Sequence, residues 1–283
     1  MKISFSTCLN GSFYCSFCVD FVQEQDRVTI SFEDGESISS DAVVAADGIN
    51  SIFRRKVSAG FHSKVCRLSV DSVSCSSHHY TARQERHAGT CWRAVISDHE
   101  IVIDDLVATE TWGPSGRFGI VPLAGGKIYW FACVKAKARD SRIAKYSIPD
   151  LHSIFRDFHR RIPQIIQTTD HESLIHNDIL DIKPIQQYAF GRIVLLGDAA
   201  HATTPNLGQG AGQTMEDAYV LARCLDAAGD PVMAFKEYER KRLGRTRKII
   251  KMSNQIGRIA QLENKGLILL RNFVLSKSLL QRA

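Results

Sequence analysis

The sequence predicts an α/β chain with an added antiparallel sheet, and three observations predict it. Two short apolar runs, residues 42–46 and 192–196, read as strands buried on both faces, as in a parallel sheet. Each ends in an Asp/Gly pair, Asp47-Gly48 and Gly197-Asp198, and each is followed by a stretch that reads as helix. Between them, residues 117–123 and 127–134 are rich in aromatic and β-branched side chains and flank Ala124-Gly125-Gly126. That pattern predicts a hairpin of half-buried antiparallel strands.

The elements follow in order. Residues 28–32 alternate with period two and predict a strand. Glu33-Asp34-Gly35-Glu36 carries the Asp-Gly pair of a hairpin turn, and residues 37–41 return as its partner. The helix after Asp47-Gly48 is expected to start at Asn50 or Ser51, either of which can cap it. Residues 58–90 are rich in Ser, Cys and His with little periodicity, which predicts a loop-rich region. Residues 91–96 and 100–104 are candidate strands. Leu151, Ile154, Phe155 and Phe158 share one face of a helix over 150–161, which Pro163 is expected to stop. The run Gly208-Gln209-Gly210-Ala211-Gly212 leads into a helix over 213–225, with Asp217 near its start and Arg223 near its end, in line with the helix dipole. Residues 232–280 read as helical and basic.

Composition excludes several classes. At 283 residues the chain is long enough for two domains and a sizeable core. With 44% hydrophobic and 23% charged residues it is not a disordered, collagen-like or disulfide-stapled chain. No apolar run approaches the ~18 residues of a membrane span. The net charge of +6 is too small to argue for nucleic acid. The basic stretch 236–251 reads as a solvated helix, supported by Glu237 and Lys241 at i,i+4, and it lacks the aromatics that stack bases. No nucleic-acid partner is expected. Eight cysteines in so long a chain read as free thiols of a reducing compartment, and a cytoplasmic location is expected. The amino-terminal apolar stretch is broken by Ser and Thr and is followed by no clear small-x-small cleavage site. Cys15-Ser16-Phe17-Cys18 reads as two packed thiols. His62, Cys66, Cys75, His78 and His79 have ligand chemistry but no zinc spacing, so no metal site is expected.

A carboxylate at the carboxyl end of a buried strand points into the crevice where open α/β sheets bind ligands. Asp198 there suits hydroxyl groups and would repel phosphate. The glycines at 208, 210 and 212 let backbone approach a ligand, and the following helix offers free N–H groups. The unit therefore suits a polyhydroxy ligand with an electron-rich head. Close packing alone is the other use of such glycines. Asp47-Gly48 by itself marks a turn, but with Ser51 and Arg54 it becomes Asp-Gly-x-x-Ser-x-x-Arg.

Together these stretches carry a family resemblance. Asp47-Gly48-Ile49-Asn50-Ser51-Ile52-Phe53-Arg54 resembles the DG motif of the FAD-dependent aromatic-hydroxylase-type monooxygenases (group A flavoprotein monooxygenases). Residues 197–210, from Gly197-Asp198 through Pro205 to Gly208-Gln209-Gly210, resemble its GD motif, continued by Glu216-Asp217-Ala218. Trp92-Arg93, Phe118 to Pro122 and Tyr129-Trp130 extend the likeness. The resemblance implies a Rossmann-like FAD/NAD(P)-binding domain over 1–57 and 178–283, split around an antiparallel substrate domain over 58–177. It implies FAD as cofactor, NADPH or NADH as reductant, and O2 with a small aromatic or cyclic substrate that is hydroxylated or epoxidised. Asp198 would hold the ribityl hydroxyls, and Pro205 would lie beside the flavin. The backbone of Gly208, Gln209, Gly210, Ala211 and Gly212 would face the ring, and Asp47, Gly48 and Arg54 would support the pyrophosphate region. His201 is expected to be structural rather than a general base. Arg93 is a candidate for meeting an anionic substrate or the flavin, or for packing alone.

One departure stands out. The family opens with a strand–GxGxxG–helix unit, and no such motif occurs in this sequence. The sequence thus reads as amino-terminally truncated, lacking the first βαβ. Two other readings remain open: a non-catalytic remnant with weak or no FAD binding, and an interaction protein using its basic carboxyl-terminal helix.

Overall fold

A computed structural model describes residues 5–9, 12–58, 85–97, 101–137 apart from 102 and 105, and 139–280. In chain order the elements begin with β1 (Phe5–Leu9), β2 (Ser12–Ser16), β3 (Cys18–Gln23), β4 (Val28–Phe32), β5 (Ser37–Ser40), β6 (Val43–Ala45) and α1 (Ile52–Ser58). Next come β7 (Glu85–Ser97), β8 (Thr109–Gly113), β9 (Gly116–Leu123), β10 (Lys127–Val134), α2 (Ile148–Phe155), α3 (Arg161–Thr168) and β11 (Ile175–Ile182). The last are β12 (Ala189–Phe190), β13 (Ile193–Leu195), α4 (Asp198–His201), α5 (Gly210–Ala227), α6 (Pro231–Ala260) and α7 (Lys265–Leu280). Two compact units form, one from Met1–Arg86 and Asp181–Ser253, the other from His87–Leu180 and Asn254–Ala283.

In the first unit, β6 pairs in parallel with β13, and β12 adds antiparallel to β13; Val44 of β6 is 44% exposed, so this run is not buried on both faces as expected. The predicted hairpin is β4–β5, with β3 as a third, bulged strand that sequence reading did not anticipate. Nor did it anticipate the β1–β2 hairpin. Val28, Ile30 and Phe32 point from β4 into the core, where Phe21 stacks on Phe53 of α1 at 4.6 Å. Ile193, Val194 and Leu195 are all fully buried, the burial on both faces expected of a parallel strand.

In the second unit, five strands lie in the order β11-β7-β10-β9-β8, and the predicted hairpin is β9–β10. Alternate residues of β7, β9 and β10 form one buried face, with Trp92, Phe118 and Trp130 at its centre. Leu151 and Phe155 of α2 and Ile162, Ile165 and Ile166 of α3 pack on it. Phe118 stacks on Trp130 at 5.2 Å and meets Phe155 edge-on at 5.6 Å. The Trp130 indole N–H donates to the Thr169 hydroxyl at 2.9 Å, so the buried ring keeps its hydrogen bond.

Several expectations need correction. The helix expected over 150–161 ends at Phe155, and Pro163 lies within the first turn of α3 rather than stopping a helix. A first-turn proline loses no hydrogen bond, because its N–H would have had no intrahelical partner. The start of α2 is fixed by a capping box between Ser147 and Asp150. Helix α5 begins at Gly210, three residues ahead of expectation. The candidate strand 91–96 lies in the carboxyl-terminal half of the longer β7, whereas the described residues of 100–104 form no strand. Residues 232–280 are helical as expected, in the two helices α6 and α7. The loop-rich expectation for 58–90, and the residues His62, Cys66, Cys75, His78 and His79, fall largely or wholly outside the described residues; Ser58 ends α1 and 85–90 belong to β7. No described helix is long and apolar enough to cross a membrane.

Phe118→Ala should cost about 3–5 kcal/mol, because the cavity would open between two aromatic neighbours. A urea unfolding series on both proteins measures it, and an unchanged midpoint would contradict this account of the core.

Candidate functional site

The first unit brings two turns together. Asp47 and Gly48 leave β6, and Gly197 and Asp198 leave β13, the neighbouring parallel strand. The Leu196 N–H donates to the Ala45 carbonyl at 2.9 Å and carries the pairing to the edge of both turns.

The first turn is built by capping. The Asp47 carboxylate accepts the Ile52 N–H at 2.7 Å, and the Ser51 hydroxyl accepts the Arg54 N–H at 2.9 Å. Two of the free donors at the start of α1 are thereby met. Of the two expected caps, Ser51 is the one used. Arg54 is turned inward and is 1% exposed. Its guanidinium donates to the carbonyls of Ile49, Asp198 (3.3 Å) and Ala199 (2.9 Å), joining one turn to the other.

The second turn requires glycine. Gly197 has φ 61°, and a Cβ there would lie 2.9 Å from the Thr214 side chain. Its N–H donates to the Asp217 carboxylate at 3.1 Å. Asp217, fully buried on α5, also accepts from His201 Nε2 at 2.5 Å and from Arg242 Nε at 2.7 Å. Burial acts to raise the Asp217 pKa, but the His201, Arg242 and Gly197 bonds outweigh it and hold the carboxyl below its usual value. Arg242 further pairs with Glu216 at 2.6 Å. Arg242 is 4% exposed, which corrects its expected place on a solvated basic face. The expected Glu237–Lys241 pair does form, at 3.4 Å on the exposed side of α6.

Beyond α4 the chain is pinned to α6. The Ser253 hydroxyl donates to the Thr204 carbonyl at 2.7 Å, and the Asn206 amide donates to the Ser253 carbonyl at 2.7 Å. Pro205 begins a short 3-10 turn that Gly208 ends in the left-handed region, at φ 63°. The ends facing outward stay open. Asp198, Pro205, Gly208, Gln209, Ala211 and Gly212 are exposed, and Gly210 is half-buried. No side chain caps the start of α5, no acidic residue lies in its first turn, and a Cβ at Gly208 or Gly212 would meet nothing within 4 Å. Asp47 Oδ1 and Thr203 Oγ1 are buried with no partner among the described residues.

Arg93 lies apart from these residues in sequence and in the other unit, on β7. Its guanidinium donates to the Asn177 side chain and hydrogen-bonds Tyr129 of β10.

Comparison with known proteins gives this arrangement its context. A family profile described as an FAD binding domain matches residues 12–253. The chain belongs to this flavoprotein monooxygenase family. Among family members, the aurachin C monooxygenase/isomerase of Stigmatella aurantiaca is 36% identical over 244 residues, covering 84% of this chain and 56% of that protein. The FAD-dependent urate hydroxylase of Klebsiella pneumoniae is 31% identical over 229 residues, covering 81% and 54%. The crystal structure of Klebsiella pneumoniae HpxO complexed with FAD and uric acid superposes with a TM-score of 0.76 at 27% identity, over 90% of this chain and 61% of that one. The chain thus spans a little over half the length of these curated family members.

The residues present fit the family's cofactor. An open, uncapped helix end suits an electron-rich ring, the exposed Asp198 suits hydroxyls, and two buried oxygens await partners. Sequence reading picked out both turns but missed the residues that hold them from beneath, above all Arg242 and Ser253. Their spacing from the motifs carries no local pattern.

Asp217→Asn should cost about 3 kcal/mol at neutral pH, since it removes the charge opposite a buried guanidinium. A depressed folded-state pKa contributes stability that is present above the unfolded value of about 3.9 and lost as pH falls below it. The gap between wild type and variant should therefore narrow on acidification through pH ~4, as read from thermal melts. A gap that widens there would contradict the assignment.

Proposed function

We propose that this chain holds FAD on its DG and GD turns and serves NAD(P)H-dependent oxygenation of a small ring compound. The observation that carries the reading is the uncapped, acid-free start of α5, set after an exposed Asp198 on a turn fixed from beneath. When bound, FAD supplies the redox chemistry, taking electrons from the nicotinamide and passing one atom of O2 to the substrate.

The chain's own residues bind and orient. The Asp198 carboxylate accepts hydrogen bonds from the ribityl hydroxyls. The free N–H groups of Gly210, Ala211 and Gly212, with the helix dipole behind them, favour negative charge on the ring system. Pro205, Gly208 and Gln209 form the adjoining wall. Asp47 and Gly48 support the pyrophosphate region, with Arg54 as a positioning residue. His201, bonded to Asp217 through Nε2, is a positioning residue that orients the turn rather than a general base. FAD is assigned to residues 1–57 and 178–283, and the substrate to 58–177. The names of the relatives point to ring compounds, urate as the compound hydroxylated and a heptyl-hydroxyquinolone as the compound made. On the five-stranded sheet, the Arg93 guanidinium beside Tyr129 can meet a carbonyl or anionic group of such a ring.

The test is the visible spectrum of the purified chain after adding FAD and desalting. Retained flavin bands are expected. Asp198→Ala should weaken FAD binding at least about tenfold, the loss of a charge-assisted hydrogen bond, with melting temperature unchanged because the side chain is exposed. A chain that stays colourless would overturn the proposal. Retained flavin without NAD(P)H oxidation would favour a cofactor-binding remnant.

A further inference from the structure

The five-stranded sheet has a second face, opposite the one that α2 and α3 cover. Cys91 of β7 and Cys133 of β10 meet on it. The two are directly opposed in the antiparallel register, so their side chains emerge as cross-strand neighbours. Opposed Cα atoms in such a ladder lie about 4.5–5.5 Å apart, inside the roughly 4.4–6.8 Å that a disulfide spans. Both cysteines are free thiols. The Cys91 thiol is within hydrogen-bonding reach of the Cys133 sulfur and of the Trp92 carbonyl, the latter at 3.4 Å.

A cation stands beside the pair. Arg117 of β9 is 3% exposed, ion-pairs with Glu110 at 3.2 Å and hydrogen-bonds the Cys133 sulfur. The hydrogen bond from Cys91 lowers the Cys133 pKa; burial opposes this, and the Arg117 charge adds to the lowering. The same hydrogen bond, with burial, pushes the Cys91 thiol up. Beside the Arg117 guanidinium, Cys133 is the sulfur of the pair placed to react as thiolate, and the half-buried Cys91 leaves a way in for a small oxidant. Cys18 and Cys224 differ. Cys18 is pushed up to about 11 by burial, and Cys224 lies buried on α5.

We propose that Cys91 and Cys133 form a reversible thiol-oxidation site, which hydrogen peroxide converts to a cross-strand disulfide. In the first step the Cys133 thiolate attacks peroxide. An S–O bond forms, the O–O bond breaks, and water leaves once a proton is taken up. In the second, the Cys91 sulfur attacks the resulting sulfenic acid. The S–S bond forms, the S–O bond breaks, and the departing hydroxide takes the Cys91 proton and leaves as water. Two thiols are oxidised by two electrons, and one peroxide is reduced to two waters. The bond would tie the strand carrying Arg93 to the strand carrying Tyr129.

Peptide mapping tests the site without any variant. The folded chain is treated with equimolar hydrogen peroxide, quenched, denatured, alkylated and cut with trypsin. Cys91 then lies on peptide 87–93, Cys133 on 128–135 and Cys224 on 224–236. The expected result is a single linked species of the first two peptides, two hydrogens lighter than their sum and released by dithiothreitol, with 224–236 fully alkylated. In Cys91→Ser, Cys133 should stop at the sulfenic acid and be captured by dimedone. Peptides 87–93 and 128–135 alkylated as fully as 224–236 would overturn the proposal. So would either one linked to a different cysteine.

Discussion

The Arg54 guanidinium donates to carbonyl oxygens on two turns far apart in sequence, Ile49 on one side and Asp198 and Ala199 on the other. Taking a guanidinium out of water costs several kcal/mol unless its donors are met. Three carbonyls from the two turns meet those donors together. The parallel pairing of β6 and β13, with Ala45 opposite Leu195, brings the turns to that distance. The coupling runs in both directions: a shift of the Asp47 turn takes a carbonyl acceptor from the guanidinium, and the anchor of the Asp198 turn is disturbed with it. The two motifs are therefore one physical object.

A second buried polar centre holds the same object from the α5 side. Asp217 gathers the Gly197 N–H, His201 and Arg242 on one carboxylate. Its two oxygens are met by three groups from two separate stretches of chain, the turn into α4 and helix α6. A half-satisfied network of this kind would be worse than an apolar core, whereas a saturated one fixes a single arrangement. The segment after α4 is treated likewise, through Thr204, Asn206 and Ser253. The inner side of each turn spends most of its hydrogen bonds within the protein, Asp47 Oδ1 and Thr203 Oγ1 excepted, and the outer side keeps donors and acceptors to offer.

Much of this was legible in the sequence because the signals were local. The apolar runs at 42–46 and 192–196, the Asp-Gly hairpin at 34–35 and the aromatic hairpin at 117–134 each declare themselves within about ten residues, as do the two motifs. What was not legible depends on distant partners. Arg242 looks like its neighbours Arg240 and Lys241 in sequence, yet it alone of the three is buried, because the helix turns it toward α5. Pro163 reads as a stop by composition, but its place in the first turn of α3 follows from where α2 ends. Helix α5 starts at Gly210 because the glycines, poor helix formers by propensity, sit in its first turn. The strands β1 to β3 were missed because their own sequences alternate weakly.

The electrostatics of α5 bring these strands of argument together. A helix amino terminus carries a partial positive charge, which nearby carboxylates in the following turn would cancel. Glu216 and Asp217 occupy that turn, and both are neutralised from the other side: Arg242 pairs with each, and Arg245 reaches Glu216 at 3.1 Å. The depressed pKa of Glu216 follows from these arginine contacts, and that of Asp217 from His201 together with Arg242, each against the opposing effect of burial. The arginines of α6 thus do more than hold α5 in place. By absorbing the field of Glu216 and Asp217, they leave the positive end of the helix to act outward through the open glycines. Asp198, one turn of chain away and exposed, supplies the opposite polarity. The surface is thereby divided into an acceptor that suits hydroxyls and a donor end that suits an electron-rich ring, and that division comes from buried ion pairs that no ligand touches.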